Sequence, residues 1–216
     1  MKKTSIILGL LALAFAQSYA AEMKPLKLDV PPSQLEGTPV PVKLAGQNPV
    51  EEPNPTVMVP DGVKNIALKK AVTASDDFPL SGELEFITDG DKGGSMGSVV
   101  SISGGLQWVQ IDLGKESELY AIAVWHFHSQ KRAYNDVVIQ ISNDPEFKKD
   151  VVTVYNNDHD NSAKLGKGAD KAWIETNEGK LIDLKGAKKA RYVRLYSDGS
   201  STDETNTYIE VEVFGK

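Results

Sequence analysis

Apolar residues recur at every second position in residues 107–113 (Val109, Ile111, Leu113) and again near the C-terminus (Ile209, Val211, Val213). That is the period of a strand with one face buried. Strand-like runs are predicted over 65–74, 107–113, 119–128, 136–142, 151–155, 181–184, 190–196 and 208–214, with Gly, Asn, Asp and Ser clusters between most of them. No segment sustains an apolar period of about 3.6 residues, so helices are not expected. Successive strands without intervening helices predict an all-β chain, an antiparallel β-sandwich and not a parallel α/β sheet.

The first 60 residues follow different rules. Met1-Lys2-Lys3 gives a positive start, Ile6 to Ala16 is almost unbroken in its apolarity, and Ser18-Tyr19-Ala20 carries the small residues of a cleavage site. Residues 1–20 therefore read as a secretory signal peptide. Its apolar run of about 11 residues is well short of the roughly 20 that span a bilayer, so membrane insertion is not expected. Residues 21–60 hold nine of the eleven prolines and no aromatic residue. They predict an extended Pro-rich linker or arm, either a solvated spacer or a segment that binds a partner. Residues 61–216 are left as one domain, long enough to bury roughly two-thirds of its unfolded surface.

Charge and composition narrow the partners. The chain has no cysteine, which excludes disulfides, thiolate metal sites, a cysteine nucleophile and a lipidated N-terminal cysteine. Its formal charge of −6 becomes −8 once Lys2 and Lys3 leave with the leader. Nucleic acid and anionic membrane are poor partners for such a chain, and neutral ligands or cations are favoured. The protein is expected in the periplasm or outside the cell.

Six landmarks then occur in order: Asn65-Ile66-Ala67 with Ala71-Val72-Thr73-Ala74-Ser75; Ile87-Thr88-Asp89-Gly90-Asp91; Trp108-Val109-Gln110-Ile111-Asp112-Leu113-Gly114; Ile139-Gln140-Ile141-Ser142-Asn143-Asp144; Ala190-Arg191-Tyr192-Val193-Arg194-Leu195; and Glu210-Val211-Glu212-Val213-Phe214-Gly215. Together they resemble the factor V/VIII type C, or discoidin, domain over roughly residues 62 to 216. The resemblance implies a galactose-binding-like jelly roll of about eight strands. It also implies a structural calcium ion, held by the carbonyls of Phe86 and Ile209 and the carboxylates of Asp89, Asp91 and Glu210. Calcium takes about six to eight hard oxygens in tolerant geometry. The family pattern continues with a Thr and a Trp, where this chain has Gly93-Gly94-Ser95-Met96. Read without the family, Asp89-Gly90 is a capped turn, and Glu210 and Glu212 share one solvated strand face.

In carbohydrate-binding members, a shallow pocket at the loop end is lined by His, Arg, Asn and an aromatic ring. His128, Arg132, Tyr134 and Asn135 supply that set, with His128 standing where galactose binders usually have Arg. Tyr134 and Trp173 are candidate stacking faces, or ordinary core aromatics. His126 and His128 share a strand face and could hold a transition metal with His159, or serve as hydrogen-bonded wall residues. The long loop 156–171 is a rim loop, with Asp158, Asp160 and Asn161 as a weaker cation set. No nucleophile elbow, zinc-binding helix motif or phosphate loop is present, so no enzyme is expected. Two functions remain open: an exported module that recognises carbohydrate or a glycoprotein sugar, and a protein-interaction or envelope-matrix component that docks other exported proteins.

Overall fold

The computed structural model describes residues 22–37 and 40–216; the expected leader, residues 1–20, lies outside the described residues. The strands are β1 (Met23–Pro25), β2 (Met58–Pro60), β3 (Lys64–Asn65), β4 (Ala71–Ala74), β5 (Val100–Ile102), β6 (Leu106–His126), β7 (Val138–Ser142), β8 (Val152–Asn156), β9 (Lys180–Asp198) and β10 (Asn206–Gly215), with one 3-10 turn at Leu84–Thr88. All strand pairs are antiparallel. The all-β sandwich expected from the sequence is what forms.

Two long strands build both layers. The first part of β6 pairs with β4 and the second with β10, while β9 follows β6 along its length with register shifts on either side of Ser117 to Leu119. The predicted runs 107–113 and 119–128 are thus one bent strand, and so are 181–184 and 190–196. Gly114, at φ 86°, carries the bend in a conformation that a side chain would strain. Run 65–74 breaks in the opposite sense, into β3 and β4, where Lys69 adopts φ 58°. Inward residues of both layers, Val109, Ile111, Ile122, Val124, Val193, Leu195, Val211 and Val213, meet in one core.

Parts of the Pro-rich segment pack on the sandwich. β1 and β2 pair with each other, and Val57 and Val59 are buried with Ala121, Ala123, Trp125, Leu181 and Phe214 on the outer face of the β10 layer. Further along, Val50 N–H donates to the Ala172 carbonyl (2.9 Å) and Ile174 N–H to the Val50 carbonyl (2.9 Å). The Asn54 side chain accepts from Leu181 N–H at 2.8 Å and donates to the Gly179 carbonyl at 3.0 Å. Leu44 packs on Ala133 and Ala172. The segment needs few apolar residues because the sheet beneath it supplies most of them.

Candidate functional site

His126, expected on a wall or at a metal, lies fully buried between the layers. Its Nδ1–H donates to Glu175 Oε1 at 2.7 Å, and its ring stacks on Tyr134 with centroids 4.3 Å apart. His128 sits past the end of β6 and donates from Nε2 to the Lys92 carbonyl at 3.0 Å. His159 lies against Gly46 of the arm. The three histidines are not gathered, and among the described residues no histidine joins a cluster of three ligand-type side chains.

The four residues expected to line a sugar pocket part company. Tyr134 is 2% exposed and belongs to the central core; burial, ahead of every other cause, pushes its hydroxyl far above the usual phenol range. It cannot serve as a surface stacking face, because packing on His126 claims its ring. Trp173 is likewise a core aromatic, edge-on to Tyr155 at 5.1 Å. His128 is buried under the Lys92–Gly94 loop, not placed on a rim. Arg132 is buried over the Phe127 ring, donating to Asp203 Oδ2 (3.1 Å) and Gln130 Oε1 (3.0 Å). Asn135 alone reaches an open groove, which Gly105, Asp198, Ser200, Asp203 and Glu204 line with it.

That groove lies where loops meet at one end of the sandwich. Asn206, fully buried, donates from Nδ2 to the carbonyls of Ser103 (2.8 Å) and Gly105 (2.9 Å), and its Oδ1 accepts from Gly199 N–H. Asp76 accepts from the N–H and hydroxyl of Ser103, which fixes the turn bearing Phe78. Phe78 is 85% exposed. Sequence reasoning missed both the 198–204 loop and Phe78; the signal for the second was an aromatic inside the turn Asp76-Asp77-Phe78-Pro79.

The expected calcium ligands are also divided. Glu210 is fully buried; its Oε2 accepts from Gly90 N–H at 3.1 Å, and its Oε1 has no partner. Burial pushes its carboxyl up to about 9, with the charges of Glu212 and Asp89 adding to the shift. A bulge between Tyr208 and Glu210 takes Ile209 out of the ladder, the kind of irregularity that re-aims backbone groups. Asp89 and the 3-10 turn with Phe86 stand beside this strand. Asp91 is turned to other work: its Oδ1 accepts from Gly93 N–H (2.8 Å) and its Oδ2 from Ser98 Oγ (2.6 Å), which together hold its carboxyl below the usual range. At Gly94 the carbonyl accepts from Ser129 Oγ, and an added Cβ would lie 2.2 Å from that hydroxyl oxygen, so a side chain there would have to displace it. Glu212 pairs with Lys92 at 3.0 Å, both largely buried, and so is no solvated face.

A different acidic group forms under the rim loop. Carboxylate oxygens of Asp136, Asp158 and Asp160 lie within 4.8 Å of one another. Ser162 N–H donates to Asp158 and Asp160 at 3.0 Å each, and its hydroxyl to Asp136 at 2.7 Å. Asn161 instead accepts from Gly166 N–H.

No curated protein sequence matches the chain. Among solved structures it is similar to chitosan-binding module 1 of a chitosanase/glucanase from Paenibacillus sp. IK-5, at 25% identity and a TM-score of 0.50, covering 70% of this chain and 99% of that one. It shares its fold with part of a family 89 glycoside hydrolase from Clostridium perfringens, at 20% identity and a TM-score of 0.51, covering 70% of this chain and 14% of that one. The model of the F5/8 type C domain matches residues 71–211, most of the sandwich, and the chain therefore belongs to that family.

Proposed function

We propose that this chain is an exported, non-catalytic module that binds carbohydrate in the loop-end groove. Asn135, Ser200 and Asp203 would supply directed hydrogen bonds from the groove lining, and Phe78, exposed on the turn that Asp76 ties to Ser103, is proposed as the apolar face on which a pyranose ring stacks. The observation that carries the reading is the groove itself, polar along its lining and fixed by the Asn206 and Asp76 bonds, in a chain similar to a chitosan-binding module. Calcium belongs to the same proposal. Asp89, Glu210 and the carbonyls of Phe86 and Ile209 would hold it, and it would supply the positive charge that the unpartnered Glu210 oxygen lacks. Asp91, with both oxygens engaged inside the loop, is proposed to shape the site and not to ligate.

A broad glycan array, run with calcium and with chelator, tests both parts. Binding on the order of micromolar to millimolar is expected, abolished by Phe78→Ala and weakened by Asn135→Ala without loss of the folded state. Retention of no glycan under any condition, with exported proteins captured instead, would replace carbohydrate with a protein partner.

A further inference from the structure

The arm leaves a groove where β1 and β2 meet the edge formed by β3 and β10. Leu26, Val59, Val63 and Phe214 form its floor, with Lys24, Lys27 and Lys64 on its rim. Lys24 is paired with Asp61 at 2.5 Å, whereas no salt bridge to Lys27 or Lys64 forms among the described residues. Lys216 adds a further positive charge beside Asp61. The whole chain carries −6, so this cationic rim runs against the background charge.

The lining limits what can enter. Its lining side chains offer ammonium donors at the rim and no acceptor, and the nearby Asp61 carboxylate is taken by Lys24, so an uncharged polar ligand would lose its water without replacement along the floor. A sugar or a polar peptide is therefore a poor occupant. An apolar body confined to the floor, with one anionic head at the rim, meets every group the groove presents. We infer that the groove between Leu26, Val59, Val63 and Phe214 binds a free single-chain anionic amphiphile of the fatty-acid class, its head group paired with Lys27 and Lys64.

Calorimetric titration of the purified chain with laurate, below its micellar concentration, should give saturable binding at one site. Dodecyl maltoside, with the same chain and a neutral head, should bind at least tenfold more weakly. Lys27→Glu with Lys64→Glu should cost laurate at least tenfold and leave the melting curve in place, since both side chains are exposed. Val63→Asp should abolish binding; if it fails to fold, the lysine pair still decides. Absence of saturable laurate binding, equal affinity for the neutral detergent, or indifference to charge reversal would each overturn the inference. So would binding to phosphatidylglycerol vesicles without binding to laurate.

Discussion

The two halves of β6 are one strand with two kinds of outer face. In the first half the outward residues are Trp108, Gln110 and Asp112, each engaged by an arginine from β9: Arg194 lies 4.2 Å from the Trp108 ring centroid and donates to Gln110 at 2.8 Å, and Arg191 donates twice to Asp112 at 2.7 and 2.8 Å. In the second half they are Ala121, Ala123 and Trp125, all fully buried beneath the arm. A strand that meets water needs polar outward positions, and one that is covered does not. The difference marks the stretch bearing Val57 and Val59 as the cover of this half of the strand.

Removing that segment should have the largest effect. A chain beginning at Asp61 loses the burial of Val57, Val59 and Leu44, about 1.5–3 kcal/mol each before the returned chain entropy is subtracted. It also exposes Trp125 and Phe214 to water. We expect a melting temperature lower by about 10 °C or more, on a scale of roughly 2–4 °C per kcal/mol, together with new binding of a hydrophobic dye. Unchanged melting would mean that the arm's contacts contribute nothing.

Single truncations within β6 sharpen the contrast. Trp125→Ala empties a fully enclosed site, where its ring fills the space under the arm and its Nε1–H donates to the Asn177 carbonyl at 2.9 Å. The expected cost is about 3–5 kcal/mol. Trp108, half-buried under a guanidinium, should lose only about 1 kcal/mol on truncation. Denaturant unfolding of the two variants should separate them clearly; equal losses would mean that the outer faces do not differ energetically.

The alternation of Val109, Ile111 and Leu113 made the sandwich legible because burial on one face leaves a period of two. Residues 121–125 lack that alternation, and the reason, a cover drawn from 60 residues upstream, is a long-range fact that no local pattern encodes. The same limit explains the site. His128, Arg132, Tyr134 and Asn135 are near neighbours in sequence, yet the loop after β6 sends Tyr134 into the core and Asn135 toward the surface. Glu210 was legible as a calcium-ligand candidate through the family resemblance, but its burial and the commitment of Asp91 to Gly93 and Ser98 depend on how the loop closes. Phe78 was hidden because an aromatic in a turn is read as packing until its neighbours are known.

Glu210 tests the covered layer through pH. Its folded carboxyl is raised to about 9 from an ordinary 4.5, so between those values the folded state holds a proton that the unfolded state has lost. Stability from this group is full below about pH 4.5 and falls as pH rises toward 9. In chelator, the melting temperature should decline across that window and Glu210→Gln should flatten the decline. Millimolar calcium should restore the wild type at high pH and leave the variant unmoved, by binding only the ionised site. A wild-type profile that stays flat in chelator would mean that Glu210 is not held protonated.

The smallest effect expected is at the pin between arm and sheet. Asn54 closes two bonds at the start of β9, accepting from Leu181 N–H and donating to the Gly179 carbonyl. Asn54→Ala leaves both backbone groups unpaired, but the position is only half-buried, and water can replace part of what is lost. About 1 kcal/mol is expected, or roughly 2–4 °C in melting temperature. Asn54→Asp should fall at least as far, because its carboxylate keeps the acceptor for Leu181 and sets a second negative oxygen against the Gly179 carbonyl. If both variants melt with the wild type while the truncated chain does not, apolar contact alone holds the arm, and the hydrogen bonds merely follow its course.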